Sequence, residues 1–268
     1  MAEENKPQIA KDPAAKLLAL VSHKLKTPLS IINGYSETIL STMQPGEMSS
    51  FNIEALRNIN KQGRKMALLV DRLVHFSRIN DLKESDLRKE QIVLCPLLNE
   101  IAAKCAFRDD AINVNSSEET MRRKGPSVEI KCEEDVSICA DKSLLSVAVE
   151  ELVDNAIKFN NNMTKRVKLF FYTEGDFDVI AVADNGVGIK EEEVNKIFAK
   201  FYQIDDFFTG QIEGWGLGLA SVKRIMTLHD GSIAVRSQYG VGTIISLKFP
   251  RKENERVGKE TQDNAQNN

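Results

Sequence analysis

The stretch VSHKLKTPL, residues 21–29, places a histidine, a threonine and a proline inside one amphipathic helical pattern. At about 100° per residue, His23 lies opposite the apolar positions that flank it, so its ring is expected to face solvent. A neutral imidazole is a nucleophile near pH 7. Thr27 shares this face one turn later, and Pro28 should bend the helix there. The stretch suits transfer of a group to histidine, although an ordinary surface histidine fits the same pattern.

A second set of polar residues lies on one predicted helix, EELVDNAIKF, residues 150–159. Glu151 and Asn155 are four residues apart, and Lys158 follows three residues later, so the three side chains occupy adjacent turns. A carboxylate and an amide oxygen can face a magnesium ion or its waters, and a lysine can neutralise phosphate. Taken alone, the stretch could equally be a solvated helix face.

The stretch DNGVGI, residues 184–189, ends a strongly apolar predicted strand. The carboxylate of Asp184 needs hydrogen-bond donors if it is buried, and an adenine amino group is one such donor. Gly186 and Gly188 would let the backbone approach a flat ligand closely. A plain glycine turn is the alternative.

The stretch GWGLGLA, residues 214–220, opens a predicted helix with Gly214, Gly216 and Gly218. Bare amides at a helix N-terminus can bind phosphate. Neither the glycine spacing of a dinucleotide fingerprint nor the GK[ST] sequence of a P-loop is present. The long aromatic-rich stretch before it, about residues 200–213, predicts a mobile lid over a ligand.

Two kinds of scaffold must position these residues. Residues 14–40 and 51–80 repeat apolar positions at alternating spacings of three and four, which predicts two long amphipathic helices joined by a turn. One hairpin cannot cover both of its apolar stripes, so a second copy is expected to complete a four-helix bundle. This predicts a homodimer; packing of the hairpin on its own chain is the alternative.

The pattern changes to mixed α/β from Gln91 onward. The predicted strands are 91–95, 128–132, 136–140, 166–174, 177–184, 231–238 and 242–249, and the predicted helices are 96–107, 141–159 with Asp141 as N-cap, and 214–229. The predicted organisation is a flexible lead-in over 1–13, a hairpin over 14–80, a charged linker over 81–90, a second domain over 91–250 and a disordered tail over 251–268.

Composition limits the classes of partner. A formal net charge of −3 and a pI near 5.8 give no electrostatic reason to expect nucleic acid. No apolar run approaches the roughly 20 residues of a membrane span, and the polar N-terminus has no signal-peptide core. The four cysteines match no zinc or CxxC pattern, so we expect reduced thiols in a cytosolic protein, with a redox pair as the alternative. They are Cys95, Cys105, Cys132 and Cys139.

In their order along the chain, these stretches resemble the conserved boxes of the sensor histidine kinases of two-component systems. SHKLKTPL is similar to the phosphoacceptor box, ELVDNAIKF to the N box, DNGVGI to the G1 box, IFAKFYQ to the F box, GWGLGL to the G2 box and GVGT to the last glycine box. The resemblance covers about residues 14–250. It implies a dimeric four-helix bundle for histidine phosphotransfer, followed by an ATP-binding α/β sandwich of the GHKL (Bergerat) type.

By this likeness, His23 attacks the γ-phosphate of ATP and passes the phosphoryl group to an aspartate on a response-regulator receiver domain. Thr27 matches the position that orients water when such kinases dephosphorylate their partner. The other implied roles are Asn155 and Glu151 for Mg²⁺, Lys158 for the phosphates, Asp184 for the adenine amino group, Thr243 near the adenine, Gly186, Gly188, Gly214, Gly216 and Gly218 along the nucleotide and lid, and Phe198 and Phe201 as lid anchors.

Lys24 departs from the family pattern, in which an acid usually follows the histidine and takes or orients the ring proton. A charged lysine cannot accept a proton, and positioned acid–base help is worth roughly 10²–10⁴-fold. A lysine could instead stabilise the transferring charge. Three functions stay open: an autokinase on His23, a nucleotide-binding pseudokinase or phosphatase-biased regulator, and an ATPase that uses Glu151 to activate water.

The cellular setting follows from the same likeness. We expect a cytoplasmic chain, either free or as the cytoplasmic core of a larger membrane-bound protein with an upstream sensor domain.

Overall fold

A computed structural model of the chain describes residues 13–42, 50–113, 126–133, 135–204 and 215–251. Of residues 13–20, 23 and 107–113 it describes the backbone alone. The predicted lead-in before Pro13, most of the predicted lid and the tail from residue 252 lie outside the described residues. The chain forms two compact units, Met1–His75 and Phe76–Asn268, referred to below as the N-terminal and the C-terminal unit.

Two long helices make up the described part of the N-terminal unit. The first, α1, spans Pro13–Thr42, and the second, α2, spans Ser50–Asp81. Pro28 does not end α1, which continues through it. The two helices confirm the predicted helical pair, and Ala55 and Leu69 on α2 are fully buried. The boundary between the two units falls within α2.

The C-terminal unit contains two sheets. A five-stranded sheet has the order β2-β4-β5-β7-β6, in which the β2–β4 pair is parallel and the other pairs are antiparallel; β1 and β3 form a separate antiparallel pair. The strands are β1 Lys89–Val93, β2 Ser127–Lys131, β3 Ser137–Asp141, β4 Arg166–Glu174, β5 Phe177–Asp184, β6 Ser232–Gln238 and β7 Gly242–Pro250.

Three helices pack against the large sheet and complete a two-layer α/β sandwich, as predicted. The helices of this unit are α3 Leu94–Asn113, α4 Lys142–Lys158, the short α5 Glu191–Val194 and α6 Gly218–Leu228, of which α3, α4 and α6 cover the sheet. Five consecutive residues of β5 are buried, as its strongly apolar sequence indicates. Leu98, Val149, Leu169, Ile180 and Leu247 lie at the centre of the core between the layers.

The segment between the helical pair and the sandwich is ordered structure. Glu84–Asp86 form a 3-10 helix, and β1 begins at Lys89, inside the predicted linker. The predicted strand over 91–95 is wrong at its end, because α3 already begins at Leu94. Pro96 therefore occupies the first turn of α3, where backbone N–H groups lack helical partners in any case.

The prediction of reduced thiols is wrong for two of the four cysteines. Cys95 in the first turn of α3 and Cys132, directly after β2, form a disulfide with their Cα atoms 5.7 Å apart. Cys105 and Cys139 are free thiols. The bond depends on the packing of α3 beside the edge strand β2, which no local spacing pattern shows.

A buried histidine connects α4 to α6. Asp141 caps α4 as predicted, with its side chain accepting the Leu144 N–H at 3.1 Å. Its own N–H donates to Nε2 of His229 at 3.0 Å, and Nδ1 of that ring lies 2.8 Å from the Ile225 carbonyl oxygen. These partners require a neutral ring that carries its proton on Nδ1. Burial, reinforced by Lys89, lowers the pKa of His229 against the opposing effects of the Ile225 carbonyl, Asp141 and Asp230.

Acidification is therefore expected to destabilise the C-terminal unit through His229. Because its pKa is lowered in the fold, the unfolded chain takes up the proton first, so this stabilisation is complete above the ordinary value of 6.5 and is lost as the pH falls below it. Between about pH 7.5 and pH 5, the unfolding temperature of the wild type should fall more steeply with falling pH than that of His229→Gln. Equal slopes for the two proteins would contradict this role.

Candidate functional site

The predicted phosphoacceptor region lies in the middle of α1. Lys24 is half-buried, and burial lowers its pKa. Thr27 is exposed one turn after His23. The predicted solvent-facing orientation of the His23 ring falls outside the described side chains, so it stays a prediction.

Asp184 ends β5 with one carboxylate oxygen bonded and the other available. Its Oδ1 accepts the Gly186 N–H at 2.7 Å and the Thr243 N–H at 3.3 Å. No hydrogen bond to Oδ2 occurs among the described residues. Burial raises the pKa of Asp184, and the two backbone bonds only partly oppose that effect. Oδ2 can therefore accept a hydrogen bond from a ligand amino group.

A network of asparagines holds the turn that follows Asp184. Asn185 Oδ1 accepts from the buried Asn160 Nδ2 and from the Arg166 N–H, both at 2.7 Å. The Asn185 side-chain amide donates to the Thr164 carbonyl at 3.2 Å. Asn160 and Asn185 are positioning residues that our sequence analysis missed. The signal available was an asparagine directly after an aspartate in a turn, where its side chain commonly bonds nearby backbone.

Thr243 belongs to the same site through β7. Its hydroxyl lies 2.8 Å from the Ser237 hydroxyl on β6, and Ser237 Oγ accepts the Ile189 N–H at 2.8 Å. Hydrogen bonds thus connect the turn after β5 to β6 through Ser237 and to β7 through Thr243. Ser237 was also missed, because its contacts depend on the β6–β7 register.

Gly186 and Gly188 are required by the chain itself. A Cβ on Gly186 would lie 2.5 Å from the Phe159 carbonyl oxygen. Gly188 has a φ of +69°, and a Cβ there would overlap the Gln238 carbonyl. We predicted that these glycines let a ligand approach closely. The structure shows instead that the end of α4 and the end of β6 approach the turn closely.

The three polar residues of α4 differ in their surroundings. Glu151, Asn155 and Lys158 are all half-buried. The Glu151 carboxylate packs against Gly218, where a Cβ would overlap Oε2, so Glu151 lies at the N-terminus of α6. Lys158 Nζ lies 4.9 Å from the centre of the Phe159 ring. No hydrogen bond of the Asn155 side-chain amide is found within the described part of the chain.

The base of the predicted lid is held by backbone contacts. Phe201 is buried and has a φ of +62°, an unusual conformation for a bulky residue. Its N–H donates to the Gly216 carbonyl at 2.7 Å, and a Cβ on Gly216 would lie 2.5 Å from the Tyr202 carbonyl oxygen. The Tyr202 hydroxyl bonds the Glu193 carboxylate. Phe198 is half-buried nearby in sequence, and Gly214 lies outside the described residues.

The structure joins most of the predicted nucleotide residues into one region of the C-terminal unit. Asp184, Gly186 and Thr243 are directly bonded, the Val187 N–H donates to the Phe159 carbonyl at the end of α4, and Glu151 meets the start of α6. An available carboxylate oxygen, an available amide and a helix N-terminus fit the amino group and the phosphates of a nucleotide.

Comparison with known families agrees with this geometry. Residues 14–82 match the family described as the His Kinase A (phospho-acceptor) domain, and residues 140–253 match the family described as histidine kinase-, DNA gyrase B-, and HSP90-like ATPase. The chain belongs to the sensor histidine kinases. The matches confirm the predicted family, the GHKL sandwich after a helical region, and ATP as the ligand class of the kinase.

Among curated proteins, the kinase is 28% identical over 253 residues to the sensor protein SrrB of Staphylococcus aureus (strain NCTC 8325 / PS 47). That alignment covers 94% of this chain and 40% of the relative. The chain thus spans less than half the length of that sensor. Nothing in these likenesses favours the pseudokinase alternative.

Solved histidine kinases share the fold. The Acinetobacter baumannii histidine kinase AdeS has a TM-score of 0.61 at 20% identity, covering 86% of this chain and 98% of that one. Histidine kinase ThkA, solved in complex with response regulator protein TrrA, has a TM-score of 0.64 at 19% identity. That match covers 88% of this chain and 61% of the ThkA chain. Full-length ShkA, solved with AMPPNP, has a TM-score of 0.59 at 23% identity. That match covers 88% of this chain and 45% of the ShkA chain. Within the described residues, no helix of the kinase is long and apolar enough to cross a membrane.

Proposed function

We propose that this chain is the catalytic core of a histidine kinase that phosphorylates its own His23 from ATP. A ring nitrogen of His23 forms a bond to the γ-phosphorus while the bond to the bridging oxygen breaks, ADP leaves, and the ring releases one proton. The phosphoryl group then passes to an aspartate on a response-regulator receiver domain. The observation that carries the proposal is the available Oδ2 of Asp184, whose Oδ1 is held by the N–H groups of Gly186 and Thr243.

The ATP site would work through residues of α4, β5 and α6. Asp184 accepts the adenine amino group, and Thr243 packs beside it. Asn155 and Glu151 would supply oxygens to Mg²⁺. Lys158 neutralises phosphate charge, and the first amides of α6 face the phosphates. The ion would lower the barrier by neutralising charge on the transferring group.

The N-terminal unit is proposed to act as a dimer. Apolar side chains remain exposed along both helices, with Leu40 81% and Leu68 56% exposed. A second copy would cover these faces in a four-helix bundle. We place the histidine phosphotransfer hairpin at 14–80 and the ATP-binding domain at 91–250, and we expect the chain to work in the cytoplasm, as part of a larger sensor or alone.

Incubation with ATP labelled at the γ-phosphate and Mg²⁺ tests the proposal directly. Wild type should acquire label that is stable in alkali and labile in acid, as phosphohistidine is. His23→Gln should bind ATP with unchanged affinity and acquire no label. His75→Gln, which changes the exposed histidine that ends the N-terminal unit, is the matched control and should be labelled normally. ATP binding without label in the wild type would overturn the proposal in favour of a pseudokinase.

A further inference from the structure

We propose that Cys95 and Cys132 form a reversible thiol–disulfide site that exchanges with low-molecular-weight disulfides. The two residues lie 37 positions apart in sequence, with their Cα atoms 5.7 Å apart. This Cα distance lies within the range of unstrained disulfides. The bond joins the first turn of α3 to the end of the sheet-edge strand β2.

The surroundings of the two sulfurs suit both oxidation states. The Glu133 carbonyl oxygen lies 3.0 Å from Sγ of Cys95 and 3.4 Å from Sγ of Cys132. In the reduced state each thiol can donate to this carbonyl, which also accepts the Val136 N–H at 3.3 Å. In the oxidised state the sulfurs have no proton to donate, and the carbonyl keeps its backbone partner. Reduction therefore leaves no thiol proton without an acceptor.

Accessibility distinguishes this pair from a core disulfide. Cys95 and Cys132 are both half-buried, whereas the free thiol of Cys105 is 1% exposed. Exchange requires an attacking sulfur to reach the bond in line, which a half-buried surface pair allows. Cys139 is also half-buried, but it forms no disulfide.

The exchange transfers two electrons to the small disulfide. One protein thiolate attacks it, forms a mixed disulfide and releases one small thiol. The second protein thiolate attacks that mixed disulfide, closes the Cys95–Cys132 bond and releases the second small thiol, so both thiol protons leave the protein.

The charge around the pair predicts which small disulfide reacts faster. Glu133 and Asp135, both exposed in the same loop, place negative charge beside the site. A cationic disulfide such as cystamine should therefore react faster than anionic oxidised glutathione, and the difference should shrink at high salt.

Oxidation should also stabilise the C-terminal unit. The bond closes a 37-residue loop that contains α3 and β2, which reduces the conformational freedom of the unfolded chain. We expect the unfolding temperature to rise by about 5–10 °C on oxidation.

Thiol counting on the full chain tests the site without using ATP chemistry. The wild type, Cys95→Ser, Cys132→Ser and the control Cys139→Ser are reduced, freed of reductant, treated with cystamine or oxidised glutathione, and alkylated in denaturant before mass measurement. The wild type should lose two alkylatable thiols without gaining a small adduct, and dithiothreitol should restore both. Each single variant of the pair should instead keep one small thiol as an adduct. The unfolding shift should appear in the wild type and in Cys139→Ser alone.

Two results would overturn the inference. The first is a wild type whose thiol count does not respond to either oxidant or to dithiothreitol. The second is a wild type that retains a small adduct as the single variants do, which would mean that the two sulfurs react independently. Since neither readout depends on phosphorylation, a kinase that fails to label His23 would leave this test unaffected.

Discussion

Replacing Asp184 with asparagine is expected to weaken ATP binding by about 100-fold, because a hydrogen bond to a charged group in a half-buried site is worth roughly 1.5–3 kcal/mol. In Asp184→Asn, the amide oxygen can keep the bonds from the Gly186 and Thr243 N–H groups. The amide NH₂ then occupies the place of Oδ2 and meets the adenine amino group donor to donor. Calorimetric titration of the wild type and of Asp184→Asn with ATP measures the loss of affinity.

The same substitution should raise the stability of the C-terminal unit near pH 7. Burial raises the pKa of Asp184 above its ordinary 3.8, so its stabilising contribution is present below that value and is lost as the pH rises through the raised pKa. Asparagine carries no charge to desolvate. We therefore expect a higher unfolding temperature together with weaker ATP binding, a combination that general damage to the fold could not produce.

A second carboxylate on β5 provides the control. Asp178 is buried and accepts from Arg251 Nε at 2.6 Å, at the opposite end of the strand from Asp184. Asp178→Asn should lower the unfolding temperature and leave ATP affinity unchanged. If both variants bound ATP as tightly as the wild type does, Asp184 would have no role in nucleotide recognition.

Replacing Lys24 with glutamate is expected to raise the rate of His23 phosphorylation by about 100-fold at unchanged ATP affinity. A carboxylate beside the histidine can take or orient the ring proton, whereas a charged lysine cannot. Lys24 is half-buried, and burial lowers its pKa. The initial rate of phosphohistidine formation at saturating ATP is the measurement.

The control for Lys24→Glu must reverse the same charge elsewhere in the N-terminal unit. Lys61→Glu, at an exposed position of α2, does so and should leave the rate unchanged. A fall in rate for Lys24→Glu alone would mean that the lysine stabilises charge on the transferring phosphoryl group. An unchanged rate would mean that proton removal does not limit the reaction.

The sequence predicted best where the signal is local. The Asp141 cap, β4 and β5 follow from a capping residue and from apolar runs bounded by turn residues, and their observed bounds agree with those predicted. Strand order and the parallel β2–β4 pair do not follow from any local pattern.

The predictions failed where distant segments meet. The Cys95–Cys132 bond requires α3 to lie beside β2, and the asparagine network requires Asn160 and Asn185 to face each other across two loops. The glycines show the same limit. Their positions were predicted, but the need for glycine at Gly186 arises from the Phe159 carbonyl rather than from a ligand. The residue types therefore indicated where the site lies, whereas the packing of distant segments explains why those residues are needed.

The end of α2 determines where chimeric or truncated histidine kinases can be cut. The last turns of α2 belong to the C-terminal unit: Ile79 is part of its core, and Lys200 Nζ lies 5.1 Å from the centre of the Phe76 ring. Beyond the helix, the Leu82 carbonyl accepts from the Arg224 guanidinium. A fragment begun at Gln91, after the charged segment, would lose these partners and the first two residues of β1. Exchange of phosphotransfer hairpins between kinases should therefore place the junction before Phe76.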